Sequence, residues 1–92
     1  MHRKRAHTRV RGRVQGVSFR AATRVTAESL SVVGWVRNLL DGSVELEAEG
    51  EGAAIDQLIA WLHRGPIGAS VSSVDVAWLT PRNDETCFEI RF

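Results

Sequence analysis

Residues 33–49 constrain the fold of this chain more than any other stretch. The runs Val33 to Leu40 and Ser43 to Glu49 flank Asp41-Gly42, a dipeptide that favours a tight hairpin because both residues tolerate positive φ. In the second run Glu45, Glu47 and Glu49 alternate with Val44, Leu46 and Ala48, so one face is charged and the other apolar. That period of two is the signature of a half-buried strand. Arg9, Arg11 and Arg13 alternate in the same way with Val10, Gly12 and Val14, which predicts a first strand over about Thr8 to Val14. A basic strand beside an acidic one makes a ladder in which each pair contributes about 0.2 to 1 kcal/mol. Two solvated faces that never meet satisfy the same pattern.

The remaining segments complete a simple order. From Phe19 or Arg20 to about Ser31, Ala22, Val25 and Leu30 follow a helical spacing. Ile55, Leu58, Ile59 and Leu62 stand at i, i+3, i+4 and i+7, an amphipathic helix that Gly65-Pro66 stops. Val71 to Leu79 reads as a fourth strand, Pro81 to Asp84 as a turn, and Cys87 to Phe92 as a short last strand. The order β-α-β-β-α-β plus a C-terminal strand predicts an α+β split β-α-β sandwich. Two helices cover one face of an antiparallel sheet, and strand three lies between the parallel strands one and two. The domain spans 8–92, and residues 1–7 read as a flexible basic tail.

Charge and composition narrow the function classes. Eight of the twelve Lys and Arg residues precede Glu28, while all eleven acids stand at Glu28 or later. A basic segment suits nucleic acid, an anionic small substrate or an acidic partner strand. Base stacking on a sheet needs aromatics on its central strands, and strands one and three have none, which argues against nucleic acid. The single cysteine, Cys87, has no internal disulfide partner and suits a reducing, cytoplasmic setting. No apolar run approaches the ~20 residues of a membrane span, and the first residues lack the apolar segment of a secretory signal. A monomer is the default expectation.

Candidate chemistry gathers at Gly12-Arg13-Val14-Gln15-Gly16-Val17-Ser18-Phe19-Arg20. A strand runs into a glycine-containing turn and delivers an arginine to the start of a helix. Turn N–H groups, a helix N-terminus and a guanidinium together hold a phosphate. Arg20 is misplaced for the helix dipole, which favours acids at that end; a bound anion reverses the penalty. The split β-α-β order brings the turn near the end of strand two, where Asn38 stands. Asn38 reads either as a turn residue satisfying local backbone or as a neutral amide that aligns a water with phosphorus. There is no Gly-Lys-Ser or Gly-Lys-Thr loop and no acidic pair with magnesium-ligand spacing. His2, His7 and His63 make no metal or base constellation, and Ser18 lacks a visible base to activate it.

Val14 to Arg20, Gly34-Trp35-Val36-Arg37-Asn38, Asp41-Gly42-Ser43-Val44-Glu45 and Trp61-Leu62-His63-Arg64-Gly65-Pro66 together resemble the acylphosphatases over nearly the whole chain. The resemblance implies a ferredoxin-like fold and metal- and cofactor-free hydrolysis of a small-molecule acyl phosphate to carboxylate and inorganic phosphate. It implies that Arg20 binds the phosphate, that the backbone amides of Gln15, Gly16, Val17, Ser18, Phe19 and Arg20 form the cradle, and that Asn38 orients the attacking water. Leu30-Ser31 stands where the family often has Leu-Gly, and Phe92 where it often has tyrosine, so a terminal hydroxyl contact is lost.

Overall fold

The computed structural model describes residues 2–92. Its elements are β1 (Arg3–Arg13), α1 (Phe19–Ser29), β2 (Val33–Asn38), β3 (Val44–Glu51), α2 (Gly52–Leu62), β4 (Ser70–Leu79) and β5 (Phe88–Arg91). The five strands form one sheet in the order β4-β1-β3-β2-β5. Strand β3 is antiparallel to both β1 and β2, so those two run parallel with β3 between them, as the sequence predicts. β5 adds to β2 in parallel, which makes the sheet mixed at that edge.

Alternation sorts the side chains of the sheet into two layers. Ala6, Thr8 and Val10 of β1, Val36 of β2, and Val44, Leu46 and Ala48 of β3 are buried, and the apolar ones join a single core with Phe19 and Ala27 of α1 and Ile55, Leu58 and Leu62 of α2. Helix α2 ends where predicted: the Gly65 N–H donates to Trp61 O at 2.8 Å, and Gly65 sits at φ +67. A side chain there would also meet the Phe19 ring, because an added Cβ would lie 2.7 Å from it. Phe19, buried against Trp61 with ring centroids 5.8 Å apart, thereby fixes the start of α1 beneath the end of α2.

The N-terminal segment corrects the sequence reading. Residues 3–7 belong to β1 and are not a tail; Met1 lies outside the described residues. The cause is a charge layer on the face of the sheet away from the core. Arg5 is fully buried: its Nη1 donates to Glu49 Oε1 at 3.1 Å and Glu85 Oε1 at 2.6 Å, and its Nε to Glu47 Oε1 at 2.8 Å. Nη2 also lies 2.8 Å from Glu47 Oε1 but makes no hydrogen bond, so it contributes charge proximity without an aligned donor. The basic and acidic strands do meet: Arg5, His7 and Arg9 stand opposite Glu49, Glu47 and Glu45, while Arg11 and Arg13 lie beyond the β3 pairing.

Glu49 is the hub of this layer. It accepts from Arg3 and Arg5 and from the backbone N–H groups of Arg82 and Asn83, at 2.8 to 3.1 Å. Burial alone would raise its pKa; the Arg82 N–H, the two arginines and the Asn83 N–H outweigh that and hold it down to about 2. Burial opposes the charge of Arg5 as well, but hydrogen bonds to Glu85, Glu47 and Glu49 keep its pKa above the ordinary value. The chain between β4 and β5 is thus pinned to the sheet by two backbone N–H groups on Glu49 and by the Glu85–Arg5 ion pair.

Candidate active site

The turn after β1 leaves regular structure at Val14 and re-enters it at Phe19. Two residues inside it take left-handed backbone: Gly16 at φ +75 and Ser18 at φ +59, ψ +31. Such alternation turns successive N–H groups towards one concavity. None of the N–H groups of residues 15–20 donates to a backbone carbonyl among the described residues. Ser18 stands at the N-cap of α1 without a side-chain cap, and the first turn of the helix holds no acid. The usual ways of satisfying a helix start are therefore absent, and an anion would supply what they do not.

A cleft of about 450 Å³ opens on this turn. Gln15, Gly16, Ser18, Phe19 and Arg20 line it from one side and Asn38 from the other, so six of the seven residues singled out in the sequence meet in one place. Val17 is the exception: its side chain packs against the core and it does not line the cleft. Asn38 ends β2 opposite Val44 and is half-buried, and among the described residues its side-chain amide makes no hydrogen bond. The parallel course of β1 and β2 places it there, since their C-terminal ends share one edge of the sheet.

Three contacts within the site were not legible beforehand. The Gln15 amide donates to Leu39 O at 2.8 Å and to Ser43 O at 3.0 Å, which ties the cradle to the connection following Asn38. That connection is also wider than a two-residue hairpin. β2 stops at Asn38 and β3 begins at Val44; Gly42 alone of the Asp41-Gly42 pair takes positive φ, and the Asp41 carboxylate accepts the Ser43 N–H and hydroxyl. Those two bonds hold the pKa of Asp41 below its ordinary value. The third contact comes from the end of β5 and the residue after it. Arg20 Nη1 donates to Arg91 O at 3.2 Å, and its guanidinium lies 4.9 Å from the centre of the Phe92 ring.

The electrostatics are simple. Among the described residues Arg20 is the only titratable side chain lining the cleft, and both groups that hold it, the Arg91 carbonyl and the Phe92 ring, are neutral. A carboxylate partner would orient a guanidinium equally well but would cancel the charge meant for a ligand. The site can therefore bind a phosphoryl group through backbone N–H groups and one undiminished cation, with an amide beside it.

Comparison with known proteins agrees with this geometry. The Acylphosphatase family model matches residues 6–90. An acylphosphatase of Anaeromyxobacter dehalogenans is 52% identical over 90 residues, 98% of this chain and 97% of that protein. Among solved structures, an acylphosphatase from Coxiella burnetii superposes with a TM-score of 0.93 at 43% identity, covering 97% of this chain and 93% of that one. One from Bacillus subtilis reaches the same TM-score at 30% identity, covering 97% and 99%. A β1 that runs into a Gly16 turn, an Arg20 at the head of α1 and an Asn38 at the end of a parallel strand thus sit in a chain that belongs to the acylphosphatase family.

Proposed function

We propose that this chain hydrolyses acyl phosphates by direct attack of a water molecule, with the phosphoryl group held by Arg20 and the backbone N–H groups of residues 15–20. The carbonyl oxygen of the Asn38 amide accepts a hydrogen bond from the water, while its NH2 donates to a phosphoryl oxygen. The water oxygen bonds to phosphorus as the bond from phosphorus to the acyl oxygen breaks. The carboxylate leaves with that electron pair, and a phosphoryl oxygen takes the proton of the water.

The observation that carries this reading is the set of side chains lining the cleft, one cationic and the others neutral. Among the described residues no Asp, Glu or His side chain lines the cleft to act as base, and a carboxylate leaving group needs little acid assistance. What remains for the protein is positioning and stabilisation of charge spread over the phosphoryl oxygens. A Ser18 nucleophile would need a base within hydrogen-bond reach, and none lines the cleft.

Hydrolysis of an aryl acyl phosphate in the presence of a chelator tests the proposal. Turnover should persist in chelator. Arg20→Ala should lower kcat/KM by about 10²-fold or more and weaken inhibition by phosphate, whereas Asn38→Ala should lower kcat by a similar factor with phosphate inhibition kept. A labelled phosphoenzyme, or equal turnover in both variants and wild type, would sink it. With no Asp, Glu or His side chain in the lining, kcat should be flat from about pH 5 to 8, where a catalytic imidazole or raised side-chain carboxyl would show as a titration.

A further inference from the structure

A second cluster of cations stands on the open face of the sheet, away from the cleft. His7, Arg9 and Arg11 alternate along β1 and line a shallow concavity of about 330 Å³ with Asp75, Val76 and Ala77 of β4. No residue lines both this concavity and the cleft. Arg9 occupies its centre, and the ladder gives it two acids directly opposite: Glu45 on β3 and Asp75 on β4.

Both acids are committed elsewhere. Glu45 gives Oε2 to His7 at 2.7 Å and Oε1 to Arg37 at 2.6 Å. Asp75 is engaged by Arg11. Among the described residues no carboxylate lies within ion-pair distance of Arg9, although the residue is half-buried. Elsewhere on β1, by contrast, the buried cation Arg5 is surrounded by three carboxylates. The free fork therefore marks an unfilled position for an anion.

We propose that His7, Arg9 and Arg11 form a second anion site that takes a small, multiply charged phosphate-type oxyanion. Arg9 presents two N–H groups to two oxygens, and its planar fork matches that geometry as a lysine would not. Arg11 offsets the charge of Asp75, and His7 and Arg37 share that of Glu45, so the charge of Arg9 is left for the ligand. The shallow floor at Ala77 admits a compact ligand.

Pyrophosphate and inorganic phosphate are the probes, titrated separately and followed by backbone amide chemical shifts. The Arg20→Ala protein removes the main cation of the cleft, so that failure of this proposal is separable from failure of the catalytic one. Pyrophosphate should shift the amides of residues 7–11 and 75–77 saturably in both wild type and Arg20→Ala. Arg9→Gln, and independently Ala77→Glu, should weaken that binding tenfold or more while leaving acyl phosphate turnover unchanged. Shifts confined to residues 15–20 and 38, or affinity at the open face unmoved by both substitutions, would overturn the site.

Discussion

At the scale of single residues, the site depends on a guanidinium held by groups that carry no charge. The carbonyl of Arg91 and the Phe92 ring restrict Arg20 without compensating it. An exposed cation on an aromatic face is worth about 0.5 to 1 kcal/mol. Phe92→Leu should therefore raise the inhibition constant for phosphate about 2- to 5-fold, and Phe92→Tyr should restore it. An equal constant in the leucine variant would show that the carbonyl alone suffices. Arg20 was legible as a candidate because a cation in the first turn of a helix opposes the dipole, and Asn38 because the order of elements puts it beside the turn, although its type alone suits an ordinary turn residue equally well. The Phe92 contact was not, because nothing in a terminal phenylalanine announces which neighbour lies under its ring. Gln15 was legible only through its backbone; its side chain acts on carbonyls 24 and 28 residues away, which no local pattern encodes.

At the scale of elements, α1 begins without a side-chain cap or an acid and with Arg20 in its first turn. A ligand that binds this terminus should stabilise the whole fold. At a concentration near 100 times its dissociation constant, phosphate should add about 2.7 kcal/mol. Thermal denaturation with and without phosphate measures this, and Arg20→Ala should lose most of the increment. The β1–β3 pair makes the opposite case, an element stabilised from within. Glu49→Gln removes the charge that faces buried Arg5, and breaking a buried pair in this way typically costs about 3 to 5 kcal/mol. Chemical denaturation checks the loss, and Glu28→Gln on the exposed surface of α1 serves as the mild comparison. The early start of β1 follows from the same contacts. Arg3, Arg5 and His7 do continue the alternation with Lys4, Ala6 and Thr8, yet a run so basic reads as solvated until its acidic partners are known.

At the scale of the whole molecule, the charge layer ties stability to pH. Glu49 is held near 2 against an ordinary value of 4.5, and Glu45 is lowered too, burial opposing the shift and hydrogen bonds from His7 and Arg37 outweighing it. As pH falls, the unfolded chain takes up these protons first, so the stabilisation is complete above about pH 4.5 and drains away towards pH 2. Acid titration of the denaturation midpoint should show that loss, and Glu49→Gln should flatten it. The order of elements, the parallel relation of β1 to β2 and the placing of Asn38 beside the cradle were legible because alternation, helical spacing and connection rules all agree. The parallel β5 was not: a strand of four residues leaves its direction to whatever edge is vacant.

The central place of β1 also bears on how the molecule comes into being. Its partners on either side are β3 and β4, so Arg5 is joined to Glu49 and to Leu79, far along the chain. Contacts of such long range make folding slow, because the chain must lose its freedom before they form. The turn proposed to hold phosphate hangs from the end of this strand, and its arginine rests on Arg91, the last residue of β5, and on Phe92. Helix α1 can flicker into shape within microseconds, but competence to bind phosphate should arrive only with the last cooperative phase, alongside the change in Trp61 emission as Phe19 seats beside it.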